Sequence, residues 1–475
     1  MKYILKIDIS GIQKFIFDIP SEKAAKELKA RSFYVYSLTH IIFEMLKSKI
    51  GTDKVTEIYN GGGNLFVYVE SNQEVLEEFR KEIEQQDFQG VLFPFVSFVE
   101  VKGNFKEDMQ SLSREVLKVK LQRKFDLKEF EQTRRIEWAK FTGNLVESNG
   151  FVVEKGQAAG DEIYLQDYVI AFKGNNFENN VLNKLPIDPE DPEGNITDFS
   201  NISKSVSDGA DEKIAALKMD VDNLGLLFRN KEEQEYREIS QKMERFFSKD
   251  LYQKVLKSRI EKQELYPVFA GGDDLFLIGS WDKIIEIATE INEAFRVFQK
   301  ELNLEKPLTL SGGIVLGNPK YPLIRLAEEA EKALDLAKNY REDKNSICLF
   351  GEPMGWEEME QCEEIKSKLL DLVVNRGESR SLLQRIKSSD LGFRSVQDRM
   401  MDTNKIDLPK VYRLKYYLRN AKTEENRKIL TEIFNAYAED LLSDFLHKGT
   451  KSNPAKYVVA ARLTELLTKR MNKSE

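Results

Sequence analysis

Short apolar runs punctuate the start of the chain, and the same rhythm returns further along. KIDISGIQKFIF (6–17) and KMDVDNLGLLF (218–228) both open Lys-apolar-Asp-apolar and pass through a small or polar residue into an apolar stretch. Each is followed by an apolar run broken by glycines, YNGGGNLFVYVE (59–70) and VFAGGDDLFLIG (268–279). The spacing holds: Gly61 follows Asp8 by 53 positions, and Gly271 follows Asp220 by 51. A third apolar run, FPFVSFVEV (93–101) or LTLSGGIVLG (308–317), comes next, and helix-periodic stretches at 109–125 and 323–340 close the copies. Each copy reads strand, helix, hairpin, helix, strand, helix. That is the βαββαβ order of a ferredoxin-like unit. Ordered matches at near-constant offset mark an internal repeat, so the pattern predicts two related modules.

Between the modules, 139–217 has no single period. Its stretch 185–213 carries eight acidic and two basic residues with three prolines, which predicts a loop or mobile linker. After residue 351 the text changes to long amphipathic helical patterns. There LPKVYRLKYYLRNAK (408–422) sets Leu414, Tyr417 and Leu418 on one face, with Arg413 and Arg419 flanking. The expected class is α+β: first module 1–138, insert and linker 139–217, second module 218–350, helical domain 351–475.

Composition narrows the chemistry. The 475 residues are 41% hydrophobic and 32% charged, and no apolar run approaches the ~18 residues of a membrane span. The N-terminal MKYILKIDISG meets an aspartate too early for a secretory signal, so a cytoplasmic protein is expected, with no membrane partner. Two cysteines, Cys348 and Cys362, exclude a disulfide framework and a four-cysteine zinc site. With only His40 and His447, His-rich metal sites and a Ser-His-Asp triad are not expected. The net charge of −8 confines any nucleic-acid contact to local patches. Candidates are Arg114, Lys118, Lys120, Arg123 and Lys124, and the last 31 residues, with seven basic against two acidic side chains.

The candidate chemistry lies in GGDD. Strand interiors avoid glycine and aspartate, so their insertion in an apolar run marks a turn where backbone meets a ligand and carboxylates converge. Asp220 and Asp222 share a face of their strand, and in a ferredoxin-like sheet that strand lies beside the hairpin. Asp220, Asp273 and Asp274 are therefore expected to cluster. Like charges ~4 Å apart repel by about 4 kcal/mol at an effective dielectric of 20, and a divalent cation relieves this. Oxygen ligands of high charge suit Mg2+ or Mn2+ shared with substrate phosphates, which is the arrangement of nucleotidyl transfer. Gly271 and Gly272 shape the turn, and Lys338, at the end of AEEAEKALDLAK, is placed to reach a triphosphate. In the first copy GGGN replaces GGDD. It retains Asp8 without carboxylate partners, and is expected to bind a nucleotide through Ser10, Gly61, Gly62 and Gly63 but not two metals.

These features together resemble the polymerase-palm and GGDEF cyclase superfamily. DISGIQKFIF, ARSFYVY (30–36), YNGGGN, KMDVDNLGLLF, GGDDLFLIG, LFGEPMGW (349–356) and VYRLKYYLRNAK more specifically resemble the large signature subunit of type III CRISPR effector complexes, of the Csm (III-A) kind. The resemblance covers nearly the whole chain. It implies two facing palm domains, each with an ATP. The GGDD copy would join ATP 3′–5′ into cyclic oligoadenylates when the complex holds guide RNA and target RNA. Carried over, Asp220, Asp273 and Asp274 are metal ligands, Lys338 touches phosphate, and the C-terminal helices pack against other effector subunits along the guide RNA. Two departures follow from the residues. No His-Asp pair opens the chain, so no HD-type cleavage of single-stranded DNA is expected. The 139–217 insert lacks cysteine, so no zinc is expected and the insert is reduced or held together differently. Alternatives are transfer of AMP to a non-nucleotide acceptor, a silent nucleotide-binding scaffold, or a free-standing GTP-using cyclase, against which the second module and helical tail count.

Overall fold

The structure is a computed structural model and describes residues 1–20, 24–86, 88–122, 136–156, 162–188, 195–229, 231–389, 410–447 and 453–471. The first repeat runs β1 (Lys2–Ser10), a short helix α1 (Ile12–Phe17), α2 (Ala24–Ile50), β2 (Val55–Gly61), β3 (Asn64–Glu70), α3 (Gln73–Glu84), β4 (Phe93–Glu100) and α4 (Phe105–Gln122). Its strands lie in the order β2-β3-β1-β4, with antiparallel neighbours throughout. Helix α4 starts earlier than the expected 109–125 because Phe105 is buried and the Asp108 carboxylate accepts the Lys102 amide at 3.1 Å. Positions 123–125 lie outside the described residues.

The insert contains α5 (Trp138–Glu147) and a three-stranded sheet of β5 (Val152–Lys155), β6 (Tyr164–Leu165) and β7 (Tyr168–Ala171), ordered β5-β7-β6. Rings hold it to α2. Phe33 meets Phe141, Phe151, Phe172 and Phe177 with centroids 5.3–6.1 Å apart, an apolar cluster of the kind that stabilises through both burial and ring geometry. The stretch expected as a linker is partly packed. Ile187 bridges Ile196, and Phe199 and Ile202 of a short helix α6 (Phe199–Ile202) are buried. Apolar residues spaced among the acids make that packing possible; positions 189–194 lie outside the described residues.

The second repeat has β8 (Ile214–Val221), α7 (Leu224–Phe228), α8 (Glu233–Arg245), wide helical turns at Phe246–Asp250 and Tyr252–Leu256, α9 (Lys257–Glu261), β9 (Leu265–Gly271), β10 (Asp274–Ser280), α10 (Trp281–Phe298), β11 (Leu310–Gly317) and α11 (Leu323–Lys338). Two further strands, β12 (Ser346–Leu349) and β13 (Glu352–Gly355), extend its sheet to the order β13-β12-β11-β8-β10-β9. The β11-β8-β10-β9 part repeats the order of the first sheet. β8 is central and buried on both faces: Ala215, Leu217 and Met219 enter one core, Ile214 and Ala216 the other. That position explains its nearly unbroken apolar sequence.

The second of these cores joins the modules directly. Phe17 and Phe276 rings stand 4.6 Å apart, and the Tyr266 hydroxyl donates to Ala25 O at 2.9 Å. The other core runs on into the C-terminal helices α12 (Trp356–Val374), α13 (Ser381–Lys387), α14 (Glu424–His447) and α15 (Ala455–Leu467). In that region Leu414 and Tyr417 are buried and Leu418 packs beside them.

Candidate active site

Two hairpin tips in equivalent register define the site. In the first, Gly61 faces Asn64 across a two-residue turn, Gly62–Gly63, and both glycines have positive φ (56° and 75°). In the second, Gly271 faces Asp274 across Gly272–Asp273, and Gly272 has φ 66°. Such turns favour glycine because left-handed backbone is costly for a residue bearing Cβ. The first strands complete the equivalence. Asp8 is registered opposite Asn64, and Asp220 opposite Asp274. The two copies thus differ at the position where a second carboxylate would stand.

In the second copy the carboxylates act on one another. Burial and then the Asp220 charge push the Asp273 carboxyl up to about 6. Burial and then Asp273 push Asp274 up to about 8, with Lys218 opposing. Directly opposed like charges destabilise a strand pair, so this arrangement has an electrostatic cost that a bound cation would offset. Asp220 is ion-paired with Lys338, and Lys218 with Glu331, which also accepts from Gln13 Nε2 at 2.7 Å. Among the described residues, no three His, Cys, Asp or Glu side chains are gathered in ligating geometry. The three carboxylates expected to cluster as metal ligands are coupled electrostatically but do not gather as ligands, and Asp220 is paired with Lys338.

Asp222 does different work. Its Oδ2 accepts from Thr309 Oγ1 (2.8 Å), Ser311 Oγ (2.9 Å) and the Asn345 amide (3.1 Å), while its Oδ1 has no partner among the described residues. It clamps the end of β8 to β11 and to the β12 approach.

The first copy's acid is neutralised. Lys6 Nζ lies 2.9 Å and Lys120 Nζ 2.6 Å from the Asp8 carboxylate. Burial raises Asp8, but the two lysines outweigh it and hold the carboxyl below its ordinary value. Lys120, expected in a nucleic-acid patch, is thus engaged, as is Lys118 with Glu115 at 3.1 Å. Arg123 and Lys124 lie outside the described residues.

One cavity of about 270 Å³ meets both hairpins, lined by Gly62 and Gly63 of the first turn and by Gly271 and Asp274, which flank the second. Lys29, Lys218 and Glu244 also reach it. Ser10, Gly61, Gly272, Asp220, Asp273 and Lys338 do not form its wall. Gly272 is held from behind, where its amide donates to Glu244 Oε2 at 2.6 Å. A Cβ there would come within 2.9 Å of the Tyr59 hydroxyl, contributed by β2 of the first module. Glu244 and Tyr59 escaped sequence reading, since an acid in an amphipathic helix and an aromatic in a strand carry no local signal. Lys6 and Lys218 did leave one in the aligned Lys-apolar-Asp runs. The two histidines each bond a carbonyl one helical turn back, His40 to Tyr36 O and His447 to Ser443 O. No helix among the described residues is long and apolar enough to cross a membrane.

Comparison with known proteins bears on both modules. Residues 213–348 match the family model of the Cas10/Cmr2 second palm domain, and residues 1–136 match that of Csm1 subunit domain B. The Enterococcus italicus CRISPR system single-strand-specific deoxyribonuclease Cas10/Csm1 (subtype III-A) is 24% identical over 445 residues, covering 78% of this chain. The chain spans 56% of that relative's length. Among solved structures, a Csm1–Csm4 cassette in complex with cA4 superposes with a TM-score of 0.67 at 19% identity, over 98% of this chain and 70% of the other. A cassette in complex with one ATP gives 0.68 at 20% identity, again over 98% and 70%. At these identities the structural matches establish a shared fold.

Proposed function

The chain belongs to the Cas10/Csm1 family, and from that premise we propose that it converts ATP into cyclic oligoadenylate by 3′–5′ nucleotidyl transfer, as a subunit of a type III-A CRISPR effector complex holding target RNA. Residues 1–138 and 218–350 are then two facing palm domains, the second catalytic. Residues 139–217 form the insert between them, and 351–475 the helical domain that meets guide RNA and the other subunits. The cassettes solved with ATP and with cA4 support this substrate and product class.

The observation that carries the reading is the contrast between equivalent strand pairs. Asp220 opposes Asp274 with Asp273 beside them, whereas Asp8 opposes an asparagine and is neutralised by two lysines. Only the second copy concentrates negative charge that its own lysines leave partly uncompensated. The donor set of Asp220, Asp273 and Asp274 fits Mg2+ or Mn2+, which take oxygen ligands of high charge. Held there, the ions would supply activation of an attacking hydroxyl and stabilisation of departing pyrophosphate.

The remaining roles belong to the chain. Gly62, Gly63 and Gly271 let a nucleotide approach the backbone closely. Ser10 and Gly61 support the first turn's nucleotide, and Glu244 fixes Gly272 so that Asp273 keeps its place. Lys338 leaves Asp220 for the triphosphate, exchanging one anion for another.

A second reading, a nucleotide-binding scaffold without turnover, draws support from the same Lys338–Asp220 ion pair, which occupies a would-be ligand. One experiment separates them. The assembled complex is incubated with ATP, Mg2+ and target RNA, and pyrophosphate and nucleotide products are followed by mass spectrometry. Synthesis predicts product from wild type and a loss of at least about 100-fold in Asp273→Ala/Asp274→Ala. Equal yields from the two proteins, or no product from either, would leave the scaffold.

A further inference from the structure

The two copies treat an equivalent lysine differently. Lys6 and Lys218 each stand two residues before the strand acid, and each is registered opposite a phenylalanine of its hairpin, Phe66 or Phe276. Two-residue spacing sets lysine and acid on one face of the strand. In both copies a second lysine reaches that acid from the end of the closing helix. Lys120 of α4 meets Asp8 at 2.6 Å, and Lys338 of α11 is ion-paired with Asp220.

The difference lies two helical turns earlier. Glu331 stands seven positions before Lys338, whereas Ser113 stands seven before Lys120 and donates its hydroxyl to Met109 O of its own helix at 2.9 Å. Without an acid at that place, Lys6 falls on Asp8 at 2.9 Å, and the first acid carries two lysines. Lys218 is instead paired with Glu331, so among the described residues Asp220 carries Lys338 alone. Lys218 is 8% exposed and lines the same cavity as Asp274. A buried ammonium needs an anion, and without Glu331 it would turn to the carboxylates beside it, as Lys6 does. Gln13, from α1 of the first module, donates to Glu331 Oε2 at 2.7 Å and helps to fix that carboxylate.

We propose that Glu331 is a positioning residue for the second copy: it draws Lys218 off Asp220 and Asp274, and so leaves both carboxylates able to take a divalent cation. The role rests on the reading of GGDD as the catalytic copy. The first copy shows the alternative, with serine on the helix and its strand acid neutralised twice over.

Titration of the full chain with Mn2+, followed by the electron paramagnetic resonance signal of the free ion, tests this without turnover. Wild type should bind Mn2+ at a site that Asp273→Ala/Asp274→Ala loses. Glu331→Gln should raise the Mn2+ dissociation constant at least about fivefold, while Glu331→Asp, which keeps the charge, stays within about twofold. Removing the lysine as well separates positioning from packing. Glu331→Gln/Lys218→Met should bind within about twofold of wild type or tighter, because no cation is left to fall on the acids. A packing role for the ion pair would leave the double variant as weak as the single one. Should Glu331→Gln lose its fold, Gln13→Ala, at an exposed hydrogen bond, should still weaken Mn2+ about twofold. Unchanged affinity in Glu331→Gln (or in Gln13→Ala, where it stands in), or no rescue by Lys218→Met, overturns the proposal and leaves the metal assignment standing. No Mn2+ site in wild type, or one that survives Asp273→Ala/Asp274→Ala, overturns both.

Discussion

Gly272→Ala is the sharpest probe of how the two modules shape the second turn. The residue sits at φ 66°, where an L side chain costs ~1–2 kcal/mol. An added Cβ would also meet the Tyr59 hydroxyl at 2.9 Å, closer than real side chains approach. Alanine returns ~0.4–1 kcal/mol through the unfolded chain, and the clash adds to the strain, so a net loss of about 1–3 kcal/mol is expected. The Gly272 amide is pinned to Glu244 at 2.6 Å, so relief by moving the turn weakens that bond as well. Tyr59→Phe removes the clashing oxygen and leaves the backbone strain. The double variant should therefore recover about 0.5–1 kcal/mol relative to the sum of the single changes. Gly62→Ala is the internal control: its φ is also positive, yet the same hydroxyl is 3.9 Å away, so it should show strain without coupling to Tyr59. Urea unfolding of the four proteins and the control measures all of this. A Gly272→Ala loss below about 0.5 kcal/mol, or no coupling to Tyr59, would refute the contact between the modules at this turn.

Two further outcomes follow from buried charged groups. Burial, and then the Lys184 charge, lowers the Lys29 amine to about 7, while it donates to Val181 O and Pro267 O at 2.9 and 3.0 Å. Between that value and the ordinary lysine value the unfolded chain holds a proton that the folded chain does not, so stability rises with pH through this window. From pH 7 to 9, wild type should gain about 2 kcal/mol on Lys29→Met in denaturant unfolding; parallel curves would refute the shift. Asp222→Ala strips the partner from three donors, Thr309, Ser311 and the Asn345 amide, and should cost about 3 kcal/mol or more in the same assay. A cost below 1 kcal/mol would show that the clamp is not structural.

The repeat, its glycine turns and the acidic pair in the second copy were legible because they are local. Alternation of apolar residues writes strands, positive φ calls for glycine, and a carboxylate in an apolar run stands out against the cost of burying it. Asp220, Asp273 and Asp274 could be chosen on those grounds, and so could the absence of a carboxylate partner for Asp8. The sequence could not say that Lys120 would close on Asp8 from the far end of α4, or that Lys338 would take Asp220. Nor could it show Glu244 behind Gly272, Tyr59 reaching across from the other module, or Asp222 turned into a clamp. Those pairings depend on how a helix end lies over a sheet and how one hairpin meets another. A lysine or glutamate is equally at home in water, and only the packed fold decides which anion or amide lies within its reach.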